Sequence, residues 1–187
     1  GGMFDGHSIC ACPISTNEQG ERLLSLVEKH GEKRMRVHGK ALMDYSRRMT
    51  EEVIRSIPAG VYTFTDMLEG DGQREEPIPI RVTIEAAGKS IRVDFEGSAP
   101  QVEGNLNAVP AVVRSAVWYC IRLLAREDIP VNDGCFQPVR VIVPPHSVLN
   151  PDFPAAVSAG NVETSQRIVD VVLGCLARAL PDRIPAA

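Results

Sequence analysis

The sequence lacks any surplus of positive charge. Its 20 Lys and Arg are outnumbered by 24 Asp and Glu, for a net charge of −4, and the two signs are interspersed rather than blocked. Proteins that grip nucleic acid or an anionic membrane surface need a basic patch, so both classes are excluded. Also missing is any apolar run approaching the roughly 18 residues of a membrane span, and no secretory signal opens the chain. The five cysteines, at positions 10, 12, 120, 135 and 175, are odd in number, and two sit inside apolar helical patterns. A reduced, cytoplasmic setting is expected. The familiar catalytic signatures are absent as well: no Gly-x-Ser-x-Gly elbow, no Gly-x-x-x-x-Gly-Lys phosphate loop and no Gly-x-Gly-x-x-Gly dinucleotide turn.

What is present is a chain of 187 residues, 44% hydrophobic, able to bury a real core. Residues 1–15 show no hydrophobic period and read as a disordered or tag-derived lead-in. His7, Cys10 and Cys12 are three soft ligands, but a structural zinc needs a fourth and none follows at suitable spacing, so no metal site is expected. Residues 16–58 read as a helical hairpin or appendage. Thr16 and Gln19 fit a capping box, with Leu23, Leu24, Val27 and His30 on the face to be buried and Gly31 as a stop. A second helix carries Met35, Leu42, Met43, Met49, Val53 and Ile57 on its apolar side and ends before Pro58.

Residues 59–187 read as an α+β domain, its antiparallel, hairpin-based sheet packed with several α-helices. The period changes to two at Val61-Tyr-Thr-Phe-Thr. Ile78, Ile80, Val82 and Ile84, then Ile91, Val93 and Phe95, alternate with polar residues across Ala86-Ala-Gly88-Lys, which predicts a hairpin with one buried face. A helix follows, with Asn107 as its cap and Pro110 tolerated in its first turn. Val112, Val113, Ala116, Val117, Cys120, Ile121 and Leu124 form its apolar face, and Trp118 covers a seam to one side. A short strand at Val139-Arg-Val-Ile-Val comes next. His146 reads as exposed turn chemistry rather than a base.

The last helix follows Gly160-Asn161, with Ile168, Val169, Val172, Leu176, Ala179 and Leu180 at three- and four-residue spacing. Asn161 suits an N-cap. Around it Glu163, Thr164, Ser165, Gln166 and Arg167 crowd hydrogen-bonding groups into the first turn, where amides and the positive dipole end gather. Two readings stand side by side: a capped core helix, or a polar substrate site formed by Asn161, Glu163, Thr164, Ser165 and Gln166 with Asn105 and Asn107 as a second wall.

Four stretches carry a resemblance: Asp94-Phe-Glu-Gly-Ser-Ala-Pro-Gln, Gly104-Asn-Leu-Asn, Ile129-Pro-Val-Asn-Asp-Gly-Cys-Phe-Gln-Pro-Val and Gly160-Asn-Val-Glu-Thr-Ser-Gln-Arg. In this order they resemble the hydantoinase B/oxoprolinase family, from about Thr16 to the end. The resemblance implies part of an ATP-dependent hydrolase of small cyclic amides, working with a hydantoinase A-type subunit that handles ATP. It implies a divalent metal held by His and Asp residues upstream of the segment matched here, so neither cofactor is expected on this chain. Members are roughly three times longer, which makes this an interior fragment, inactive alone and prone to form a homo-oligomer through apolar surface at Leu23, Leu26, Met35, Met49, Trp118 and Cys120. A fragment of a ketone carboxylase subunit, or a non-catalytic docking module, are the alternatives.

Overall fold

The computed structural model describes residues 13–73 and 76–184, with side chains from residue 20 onward. The trio His7, Cys10 and Cys12 and the side chains of the Thr16–Gln19 capping box lie outside the described residues. None of the described helices is long and apolar enough to cross a membrane.

The sheet grows from the alternation in its second strand. Along β2 (Ile78–Ala87), Ile78, Ile80, Val82, Ile84 and Ala86 are buried while the residues between them are exposed or half-buried. It pairs antiparallel with β1 (Gly60–Leu68) on one side and with β3 (Ser90–Asp94) on the other, Gly88 turning the hairpin at a φ of 66°. The predicted hairpin with one buried face is therefore present. β4 (Val139–Ile142) extends the sheet parallel to β3, giving the order β1-β2-β3-β4. The architecture is α+β as expected, with one parallel pair added.

One helix covers this face. α5 (Ser165–Ala179) lays Ile168, Val171, Val172, Cys175 and Leu176 into the core and packs on β1 and β2. Gly174 admits the Phe64 ring, where a Cβ would crowd its edge. α5 packs in turn against α3 (Pro110–Leu123), whose Val113, Val117, Cys120 and Ile121 are buried. Trp118 closes the seam to the short α4 (Asp133–Phe136), meeting Phe136 edge-on with ring centroids 4.3 Å apart. Its burial, and that of Cys120, removes both from the apolar surface expected to mediate self-association.

The N-terminal helices depart from the sequence reading. α1 (Pro13–His30) begins three residues before Thr16, and its intended inner face stays in solvent, with Leu23 54% and Leu24 62% exposed. α2 (Glu32–Arg55) buries Ser46, Thr50 and Ile54; of the expected apolar side, Ile57 is buried just past its end and Met49 and Val53 pack against the core, while Leu42 and Met43 are exposed. The reason is the partner. Gly134 of α4 sits against the Met43 carbonyl, where a Cβ would clash with backbone, so the helices meet across small residues. Ser46 donates to the Pro130 carbonyl at 3.0 Å and accepts from Asn132 at 2.8 Å. The first half of α2 and all of α1 extend beyond these contacts, leaving their apolar residues uncovered.

Candidate functional site

The two polar stretches singled out in the sequence do come together, and backbone contacts join them. Ala159 donates its amide to the Asn105 carbonyl at 3.0 Å. Gly160 lies against the Asn107 carbonyl oxygen so closely that any Cβ there would overlap it. The Thr164 hydroxyl donates to the Leu106 carbonyl. Asn107 is fully buried and pins its own loop: its side-chain oxygen accepts from the Val102 amide at 2.9 Å, and its NH2 donates to the Val102, Gly104 and Ala156 carbonyls at 2.9, 3.1 and 2.9 Å. It caps nothing; Val109 precedes α3, with Pro110 in the first turn as anticipated. Asn107 and Thr164 are thus committed inward, which removes both as substrate groups.

The entry to α5 differs from a simple cap. Residues Gly160–Thr164 form one wide π-helical turn before α5 proper. In it Val162 and Glu163 both donate their amides to the Ala159 carbonyl, at 3.0 and 2.8 Å, and Ser165 donates to Gly160. These amides are spent within the turn, so the expected cradle of free N–H groups is not formed, and Asn161 makes no capping bond. π turns inserted in α-helices occur often at functional sites, and here the wide turn carries Asn161, Ser165 and Gln166 to one side. Those three line a cleft of about 300 Å³ between α5 and α3, completed by Ala111, Val112, Ser115, Ala116 and Val169. Asn105, exposed and bonded to Ser158 at 3.2 Å, and Glu163, also exposed, are not part of its lining. The α3 wall was missed in the sequence because its small and branched residues follow the same helical spacing as core.

Other titratable groups serve structure. Arg167 pairs with Asp66 of β1 and lies 3.7 Å from Asp170, tying the start of α5 to the sheet edge. Burial pushes the Cys120 thiol up to about 12 and Cys175 up to about 11, so neither is a nucleophile at neutral pH. Cys135 is raised by the same cause, its sulfur donating to the Asn132 carbonyl at 2.9 Å. His146 is an exposed turn residue as read from the sequence, with φ 57° and Asp152 at 2.5 Å from its Nδ1, a partner the sequence did not reveal. Among the described residues no three His, Cys, Asp or Glu stand close enough to hold a metal ion. They do not fit the divalent ion that the resemblance implies, and no step is derived through it. A second cavity of about 370 Å³ lies between α2 and the end of α3, lined by Met49, Val53, Leu124, Ile129 and Arg183 among others; its walls are far apart in sequence and nothing local marked it.

A family profile described as hydantoinase B/oxoprolinase matches residues 10–187. An uncharacterised protein of Methanocaldococcus jannaschii is 38% identical over 92% of this chain and 30% of its own length. 5-Oxoprolinase 1 of Arabidopsis thaliana is 34% identical over 90% of this chain and 14% of its own. Among solved structures, the ATP-dependent caprolactamase of Pseudomonas jessenii superposes with a TM-score of 0.82 at 26% identity, covering 91% of this chain and 30% of that one. The chain therefore spans less than a third of the length of each of these relatives.

Proposed function

The chain belongs to the hydantoinase B/oxoprolinase family, and from that membership we propose that it serves as part of an ATP-dependent hydrolase of small cyclic amides. The observation that carries the reading is the likeness, over nine-tenths of the chain, to a caprolactamase that is ATP-dependent. An unstrained ring amide resists water because its carbonyl carbon is a poor electrophile. Phosphoryl transfer to the carbonyl oxygen makes that carbon attackable; water adds, the C–N bond breaks and phosphate departs. The cleft lining of this chain carries no cation to hold phosphates, so ATP falls to an A-type partner subunit. The role of this chain is to bind and orient the ring through Asn161, Ser165 and Gln166. ATP-dependent turnover and the three unbridged cysteines among the described residues suit the cytoplasm. Self-association through the uncovered faces of α1 and α2 completes the proposal.

The test is phosphate release on adding a lactam and ATP, measured on the purified chain alone and on the chain with an A-type subunit. The expected result is no release from the chain alone and lactam-dependent release from the pair. Release from the chain alone above a heat-killed control would overturn the division of labour. Release that follows a ketone and bicarbonate but no lactam would move the protein to the carboxylases.

A further inference from the structure

The two edges of the sheet are unequal. β4 is four residues long, carries Arg140 and is followed closely by Pro144. Short length, charge and proline are the usual means of blunting an edge. β1, at the other edge, has none of them. It is nine residues long, holds no proline, lysine or arginine, and pairs with β2 without a bulge from Gly60 to Leu68. Its one charge, Asp66, is taken up by Arg167 of α5.

Hydrogen bonds made by β2 show which groups of β1 face outward. Arg81 donates its amide to the Ser98 hydroxyl and accepts from that hydroxyl on its carbonyl, both at 3.1 Å. The Pro79 carbonyl accepts from the Ala99 amide at 2.8 Å. These bonds go to the chain that follows β3, so Arg81 and Pro79 give nothing to their β1 partners, Thr65 and Met67. By the alternation of an antiparallel ladder, Val61, Thr63 and Thr65 turn N–H and C=O away from β2, while Tyr62 and Phe64 turn theirs toward it. The Met67 amide is capped by Asp66 Oδ1 at 2.8 Å. Among the described residues no bond outside the ladder reaches the backbone of the other three. α5 meets β1 through Phe64 and Asp66, on the opposite face, and leaves Val61 67% exposed.

An open row of this kind takes a further strand, and β1 suits its own copy. Set antiparallel about Thr63, two β1 strands place Val61 of each opposite Thr65 of the other. Thr63 then faces Thr63, and each pair exchanges both its N–H···O bonds. The three side chains are all β-branched, which favours a pleated pair. Asp66 falls opposite Gly60, so no like charges meet. Strands lie about 4.8 Å apart and α5 packs on both β1 and β2, which sets the two α5 axes about 10 Å apart, an ordinary helix spacing.

We infer that β1 pairs antiparallel with β1 of a second copy, centred on Thr63, and joins two four-stranded sheets into one. This contact is separate from the association through α1 and α2.

The experiment uses the chain carrying Leu23→Glu and Leu26→Glu, which removes the helix-face association. Sedimentation is expected to show a dimer that dissociates on dilution. Val61→Lys with Thr65→Lys sets lysines face to face in this register and is expected to weaken the dimer at least about tenfold. Val61→Lys with Thr65→Glu sets lysine against glutamate and is expected to restore it, a gain that a damaged fold cannot imitate. Amide exchange at Val61, Thr63 and Thr65 is expected to slow at least about tenfold between dilute and concentrated samples, with Tyr62 and Phe64 unmoved. The inference is overturned by a monomer at every concentration, by edge amides that exchange freely within the dimer, or by a folded Lys–Glu variant that stays apart. Protection of the edge that appears only when another protein is added assigns β1 to that protein and overturns the self-pairing.

Discussion

Replacing the fully buried Asn107 with alanine strips the Val102 amide and three carbonyls of their partner, in bonds that are buried at Gly104 and partly buried at Val102 and Ala156. Leaving buried polar groups unpaired costs about 1–3 kcal/mol each before relaxation, so Asn107→Ala is expected to destabilise by about 3 kcal/mol or more, read as a lower urea midpoint. Asn161→Ala is expected to change stability by less than about 0.5 kcal/mol, because this exposed side chain caps nothing. The bland reading of Asn161 as a cap predicts about 1 kcal/mol instead, so the same urea curve separates the two. Both asparagines look alike in sequence, each following a glycine-containing turn. Only the chain folding back at Ala156 and Gly160 decides that one is a clamp and the other a free amide. That is why the neighbourhood was legible, Asn161, Ser165 and Gln166 lining one cleft, while the duties of Asn107 and Thr164 were not.

At the scale of elements, α3 and α5 bury Cys120 and Cys175 where they meet each other and the sheet. Burial raises both thiols above their ordinary value of 9.0. The native state then keeps two protons that the unfolded chain releases. This stabilisation is complete below pH 9 and is lost as pH rises through the folded values of about 11 and 12. Urea midpoints are expected to hold steady up to about pH 9 and to decline above it, and the decline should be smaller in Cys120→Ala measured against its own neutral-pH midpoint. A midpoint flat to pH 11 would refute the burial of these thiols. The β2–β3 hairpin could be read directly from the sequence because a period of two with one apolar face admits a single register. The π-helical turn could not, since its residues have ordinary helical propensities and the wide turn exists to seat Gly160 on the Asn107 carbonyl. α1 and the first half of α2 misled for the opposite reason: their amphipathic pattern is real, but the described residues leave it exposed.

For the whole molecule, that uncovered pattern makes an expected behaviour. Leu23, Leu24, Leu26, Val37, Leu42 and Met43 stand exposed on two consecutive helices, and exposed apolar surface drives association. Light scattering is expected to show mass rising with concentration, and the double change Leu23→Glu with Leu26→Glu to shift the protein toward monomer. A clean monomer across about a hundredfold dilution series would remove the idea. The strand order has a consequence of another kind, in time. β1, β2 and β3 are neighbours in sequence as well as in the sheet and can pair as soon as Asp94 has left the ribosome. β4 must wait for α3 and α4, and α5, the helix that covers β1 and β2, follows all of these. Throughout that interval the isoleucines and valines of β2 face water with nothing over them. A nascent chain halted before Ser165 should therefore be a strong client for an apolar-binding chaperone and one extended past Ala179 a poor one, as crosslinking to stalled chains of graded length would show.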